Sequence, residues 1–280
     1  MGQAEGQIDP TVSIVIPLYN QLEYTRSCLE SLWRTTSANL ELILVDNASS
    51  DGTADYLQTV PDLVLIANRE NLGFAGACNQ GIKAASGEWI VVMNNDVILS
   101  NGWLQGLLSA ATENQLDMVS PAIREGILNY ELETYAEELT SRMKSVLRSG
   151  TVNGICFMTN RRVFETIGVF DENFRIGQYE DKDLFLRARL AGFHLGTVGS
   201  AFIHHFGSIT QKAVVARRDT PDYALKNKAY FIKKWKLPWW KRALMRSSDK
   251  LLNKIKSRLE SIRYGHSLIE KYHGGRLRYD

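Results

Sequence analysis

No stretch of this chain comes near the ~20 consecutive apolar residues of a membrane-spanning helix. The opening residues, MGQAEGQIDP, also lack the apolar run of a secretory leader. Cysteine is scarce: Cys28, Cys78 and Cys156 form an odd, scattered set without metal-ligand spacing. This argues against a disulfide scaffold or a thiolate zinc site and suggests reduced thiols in a cytoplasmic protein. Internal repeats and low-complexity tracts are missing as well. The glycine-bearing segment 67–85, ANRENLGFAGACNQGIKAA, does not have the G-x-G-x-x-G spacing of dinucleotide-binding folds, which argues against a dehydrogenase.

What remains is the composition of a soluble α/β protein: 280 residues, 44% hydrophobic and 23% charged, enough for one large domain or a domain with a tail. The formal net charge of +2 hides an asymmetry. Residues 231–280 hold 14 Lys or Arg against 4 Asp or Glu, whereas residues 1–230 hold 19 against 27. A basic tail on an acidic body suits contact with an anionic surface or partner, or a solvated helical appendage.

Four apolar runs, VSIVI (12–16), LELILV (40–45), DLVLI (62–66) and EWIVVM (88–93), alternate with helix-like segments. In the first of these segments Leu22, Leu29, Leu32 and Trp33 fall near helical spacing. Alternation of this kind predicts a doubly wound, mostly parallel sheet with flanking helices, and ligands bind such sheets beyond the carboxyl ends of the strands. Polar clusters stand at those ends: PLYN, DNASSDGT, NREN and NND. Residues 121–150 are richer in charge and weaker in apolar pattern, which suggests an excursion lying over the site. From Trp239 onward, Leu244, Leu251, Ile255, Leu259 and Ile262 keep a helical stripe among Lys and Arg, a basic amphipathic helix.

Each cluster suggests a chemistry. Asp46 ends the second run, and an ionised carboxylate accepts hydrogen bonds only, so it suits the N3–H of uracil or thymine, or the edge of guanine. In SSDGT, Asp51 and Gly52 read as the tip of a turn and Thr53 as the start of a helix. Gly73, Gly76 and Gly81 allow backbone approach to a diphosphate or, for Gly76 especially, tight helix–sheet packing. Asp96 closes a buried strand, where an uncompensated charge is costly. A divalent cation, Mg²⁺ or Mn²⁺, shared with a nucleotide diphosphate resolves that cost, while Asn94 and Asn95 serve sugar hydroxyls or waters. Glu180, Asp181 and Asp183 open a helix whose apolar side runs through Leu184, Leu186 and Leu190. Its dipole keeps one carboxylate ionised as a general base. Of the adjacent His204 and His205, alternation along a strand lets one face the site as a metal ligand.

With these residues in hand, the chain resembles the family 2 inverting glycosyltransferases of the GT-A fold. The similar stretches include VSIVIPLYN, LILVDNASSDGT, NLGFAGACNQGI, VVMNNDV, YEDKDLFLRARLAGF and HHFGSIT, all within residues 11–210. The Asn-Asn-Asp at 94–96, where many members carry Asp-x-Asp, is similar to a rhamnosyltransferase-like subgroup and removes one carboxylate from the metal site. The resemblance implies a glycosyltransferase domain over 1–230, with 1–120 binding the nucleotide sugar and 121–230 the acceptor, followed by a tail over 231–280. It implies base recognition by Asp46 supported by Pro17, Tyr19, Asn20 and Asn71, a metal ligand in Asp96, and a catalytic base in Asp181. Glu180 would contact substrate hydroxyls. His205, five residues before Thr210, is preferred to His204 as the second metal ligand.

The expected activity is transfer of a hexose or deoxyhexose from a UDP or dTDP donor to a glycan, lipid-linked or protein acceptor, with no nucleic-acid partner. Trp235, Trp239 and Trp240 among lysines suggest that the tail rests at the inner face of the cell membrane, or packs on another subunit. Two alternatives stay open. A sugar-phosphate nucleotidyltransferase would carry a glycine-rich basic loop after its first strand, and PLYNQLEYTR has no glycine. A non-catalytic nucleotide-sugar binding module would keep Asp46 but lose the base, and Asp181 is present.

Overall fold

The computed structural model describes residues 12–36, 40–207, 222–236, 239–273 and 276–278, with the backbone alone for 239–251 and 273. The chain opens with β1 (Val12–Leu18), α1 (Leu22–Thr35), β2 (Leu40–Asp46), α2 (Thr53–Leu57), β3 (Val64–Ala67), α3 (Gly73–Ala84) and β4 (Trp89–Met93). Next come β5 (Val97–Leu99), α4 (Trp103–Glu113), β6 (Met118–Glu125), α5 (Leu132–Met143), β7 (Leu147–Ser149), β8 (Cys156–Asn160) and α6 (Arg161–Ile167). The remainder is α7 (Glu180–Leu190), β9 (Leu195–His205), α8 (Tyr223–Lys234), α9 (Trp239–Tyr264), β10 (Ile269–His273) and β11 (Arg276–Arg278).

Alternate residues of β1, β2 and β4 enter two different cores, because successive side chains of a strand point to opposite faces. Ile14, Ile16, Leu42, Leu44, Val91 and Met93 pack with Leu29 and Leu32 of α1 and Trp103 of α4. Val15, Ile43, Val45, Ile90 and Val92 pack with Ala77 and Ile82 of α3, Val163 of α6 and Leu184 of α7. A strand covered by helices on both faces reads as a continuous apolar run, which is why these runs were conspicuous. Each Leu or Ile so buried contributes about 1.5–3 kcal/mol. The apolar sides of the helices differ in detail from the sequence reading: Trp33 is 48% exposed and Leu190 68%. Leu184, Phe185 and Ala188 instead set the buried face of α7.

The strands form one sheet ordered β11-β10-β6-β8-β4-β1-β2-β3. β4, β1, β2 and β3 are parallel. β8 runs antiparallel between β4 and β6, while β9 and β10 lie parallel to β6. The tight helix–sheet approach falls at Gly81, where a Cβ would stand 2.3 Å from Val15, rather than at Gly76.

Two segments differ from expectation. Residues 121–125 are no excursion: they complete β6, a strand that crosses position 120 and is buried along most of its length. α5 then packs on Phe202 and Ala122 in a third apolar cluster. The anticipated tail helix is α9, but the chain continues past it into β10, which pairs with β6, and β11, which pairs with β10.

Candidate active site

The strand ends converge on one cleft of about 620 Å³, walled by Pro17, Tyr19, Asp96, Glu180, Asp181 and His205 among others. Its floor follows from strand register. The Asn94–Asp96 link joins β4 to β5, and β5 pairs antiparallel with β9 so that Val97 stands opposite His205. β9 also lies parallel to β6, which sets Glu125 opposite the same His205. The imidazole therefore sits between two carboxylates, with Nε2 3.3 Å from Asp96 Oδ1 and Nδ1 3.4 Å from Glu125 Oε2. Burial opposes a charge on His205, but the two carboxylates outweigh it and raise its pKa to about 9. The imidazole in turn holds the Glu125 carboxyl below its ordinary value.

His204 points the other way. Its Nδ1 lies 2.9 Å from the Tyr130 hydroxyl, and burial together with the His205 charge pushes its pKa down to about 4. His204 is thus a core residue, as alternation required of one of the pair. Thr210, invoked to choose between them, lies outside the described residues.

One hard carboxylate oxygen and one imidazole, those of Asp96 and His205, would suit a divalent cation, which binds only the neutral ring and so would displace the proton held between the two carboxylates. Among the described residues no cluster of three or more His, Cys, Asp or Glu is arranged to hold a metal, so the protein alone does not complete a coordination shell. Asn95 is committed elsewhere, donating through Nδ2 to Thr25 Oγ1 at 2.9 Å.

The start of α7 lines the same cleft. Asp181 accepts from the Lys182 N–H at 2.7 Å through Oδ1, and burial raises its pKa. Glu180 is raised as well, by burial and by the charge of Asp181, and its Oε2 is buried with no hydrogen-bond partner among the described residues. Asp183, the third acid of this turn, is fully buried and accepts from Arg187 Nε at 2.9 Å, Lys234 Nζ at 2.8 Å and Trp235 Nε1 at 3.0 Å. It is a structural ion-pair centre. Trp235 is half-buried and tied to the protein by that hydrogen bond; the side chains of Trp239, Trp240, Leu244 and Leu251 lie outside the described residues.

Close approach shapes this wall. A Cβ on Gly154 would stand 2.7 Å from Asp181 Oδ2, so only glycine leaves the carboxylate where it is. The loop before α7 carries Ile176, Gln178 and Tyr179 at φ of 68°, 75° and 77°, a left-handed region that ordinary side chains disfavour. Asn227 of α8 holds that loop, its Nδ2 donating to the carbonyls of Arg175, Gly177 and Gln178 at 2.9, 2.8 and 3.1 Å.

Of the residues expected at the nucleotide, Pro17, Tyr19, Asn71, Asn94 and Asn95 line the cleft, whereas Asp46 and Asn20 are not among its lining residues. Asp46 Oδ1 accepts from Ser49 N at 3.1 Å, and Asn20 Oδ1 from Ser50 N at 2.7 Å. The lining residue there is Asn47, which donates to Asn71 Oδ1 at 2.8 Å. The turn tip is as read: Asp51 Oδ1 accepts from Thr53 Oγ1 at 2.6 Å as α2 begins. Sequence reasoning missed Asn47, Glu125, Gly154 and Lys271. Asn47 adjoins Asp46 in the same motif and was within reach. Lys271 comes from β10 and enters the cleft rim through its pairing with Glu125, which no local signal announces.

This is the architecture of a GT-A glycosyltransferase: a central, mostly parallel sheet with flanking helices and a cleft beyond its carboxyl edge. It superimposes on S. aureus TarS 1–349 with a TM-score of 0.55 at 16% identity, over 70% of this chain and 60% of that one. GalNAc-T7, solved with UDP, GalNAc and Mn²⁺, gives 0.57 at 15% identity, over 71% and 44%. The family description "Glycosyl transferase family 2" matches residues 13–179, more than half of the chain, and the protein belongs to that family. Among curated relatives, the uncharacterized glycosyltransferase EpsJ of Bacillus subtilis (strain 168) is 34% identical over 39% of this chain and 33% of its own length. EpsH of the same organism is 26% identical over 72% of this chain and 63% of its own length. The chain thus spans from a third to just under two thirds of the length of these relatives.

Proposed function

We propose that this protein is an inverting glycosyltransferase that moves a hexose or deoxyhexose from a UDP or dTDP donor to a hydroxyl of a glycan, lipid-linked or protein acceptor. The observation that carries the reading is one cleft lined by the Asp96–His205 pair and by Asp181. The TarS structure with UDP-GlcNAc and the GalNAc-T7 structure with UDP and GalNAc support a nucleotide-sugar donor. The choice of uracil or thymine rests on the acceptor-only carboxylate of Asp46, which lies outside the residues that line the cleft, and the Asn-Asn-Asp at 94–96 supports a rhamnosyltransferase-like donor sugar.

In this mechanism Asp181 takes the proton of the acceptor hydroxyl. The acceptor oxygen bonds to the anomeric carbon from the face opposite the diphosphate. The carbon–oxygen bond to the diphosphate breaks, its electron pair leaves with the nucleoside diphosphate, and the single displacement inverts the centre. Glu180, held mostly protonated by burial, donates a hydrogen bond to a sugar hydroxyl. Mg²⁺ or Mn²⁺ held by Asp96, His205 and diphosphate oxygens would supply positive charge to the leaving group.

The test is slow donor hydrolysis across a panel of nucleotide sugars, with and without chelator. Sugar release that chelator suppresses is the expected result. Turnover that requires pyrophosphate would move the protein to the nucleotidyltransferases, and binding without any turnover would make it a nucleotide-sugar binding module.

A further inference from the structure

α9 presents its apolar residues outward. Leu252, Ile255, Leu259 and Ile262 are 52%, 45%, 61% and 74% exposed, although they share one stripe of the helix. The helix is locked in this orientation by its polar side: Arg148 of β7 donates to both carboxylate oxygens of Glu260 at 2.7 and 2.6 Å and to Ser257 Oγ at 2.9 Å. Rotating the stripe inward would bury Arg148 without its partner. The exposed apolar face is therefore built into the fold.

The surrounding charge selects the occupant. Lys254, Lys256, Arg258 and Arg263 are all exposed beside the stripe. In 252–264 the only acid is Glu260, which faces inward. In heptad terms the stripe occupies positions a and d, and Lys256, Arg258 and Arg263 occupy e and g. A second copy of this helix would set like charges against one another across the seam, whereas an anionic lipid surface accepts the apolar stripe and the basic flanks together.

We infer that the outward face of α9 docks the protein on an anionic membrane surface, with Leu252, Ile255, Leu259 and Ile262 entering the headgroup region. The argument does not depend on the transferase reading, and neither does its test. Full-length protein is pelleted with phosphatidylcholine vesicles, with and without phosphatidylglycerol, at low and high salt. Binding that requires phosphatidylglycerol and weakens with salt is expected. A Leu259→Glu, Ile262→Glu double variant should lose roughly tenfold or more in binding while its circular dichroism and donor hydrolysis stay unchanged. Lys256→Glu with Arg263→Glu, which leaves the apolar stripe intact, should lose a similar amount. The inference is overturned by absence of wild-type binding, by equal binding of wild type and variants, or by a solution dimer that the same substitutions dissociate.

Discussion

Glu180 and Asp181 share one helical turn, yet their surroundings differ. Asp181 keeps a backbone donor at 2.7 Å and lines the cleft, whereas Glu180 Oε2 is buried without a hydrogen-bond partner among the described residues. Under the proposed mechanism, Asp181→Asn lowers the transfer rate by roughly 10²–10⁴ and leaves nucleotide affinity unchanged, since only proton removal is lost. Steady-state kinetics beside calorimetric nucleotide titration checks this, and near-normal turnover removes Asp181 from the role. Asp96→Ala abolishes the part of donor affinity that depends on Mn²⁺; unchanged affinity with the ion present would place the cation elsewhere. Glu180 makes a stability prediction. A carboxyl whose folded pKa exceeds its ordinary 4.5 binds its proton more tightly when folded. Its contribution is therefore present at acid pH and lost as pH rises from about 4.5 through the raised value. Glu180→Gln flattens that loss, so its melting temperature should exceed that of the wild type at neutral and alkaline pH, with the gap closing in acid. A constant gap at every pH contradicts the raised pKa.

At the scale of elements, the turn that carries Asp181 depends on a helix distant in sequence. Three non-glycine residues in the left-handed region each cost of order 1–3 kcal/mol, and the loop that carries them is tied to α8 through Asn227. α8 is anchored in turn, because Lys234 meets both Asp171, at 2.7 Å, and Asp183, at 2.8 Å. Asn227→Ala leaves three carbonyls without this donor and should cost about 1–3 kcal/mol. Under the proposed mechanism it should lower kcat more than it raises the donor KM, because the loop positions Asp181 while Asp96 and His205 stay in place. Melting curves and a kcat-against-KM comparison test this, and a pure stability loss with unchanged kcat would leave Asn227 a structural residue only. β1, β2 and β4 were legible because each is buried on both faces, whereas the edge strand β3 is only partly buried. β6 was not legible, since Ser120, Pro121 and Arg124 interrupt its apolar pattern and pairing with β8, β9 and β10 outweighs its weak local preference.

For the whole molecule, one buried ion pair joins the chain's end to its middle. Arg148 and Glu260 expose 4% and 11% of their side chains. Glu260→Ala strands a buried guanidinium and should cost about 3–5 kcal/mol. Glu133→Ala, which breaks the exposed pair with Arg34, should cost about 0–1 kcal/mol. Urea denaturation of the two variants tests the contrast, and equal losses would show that Arg148 finds other partners.

The sequence alone determined the alternation of strands and helices, the polar strand ends and most of the carboxylates of the site, because apolar periodicity and turn chemistry act over a few residues. Only the tertiary structure decided which acids share the cleft. It placed His205 between Asp96 and Glu125 through the pairing of β9 with two strands. It withdrew Asp183 into an ion pair, left Asp46 outside the cleft lining that Asn47 joins, and brought Lys271 to the rim from the far end of the chain. Register and crossover geometry join residues more than a hundred positions apart, and no local pattern of side chains encodes such a distance.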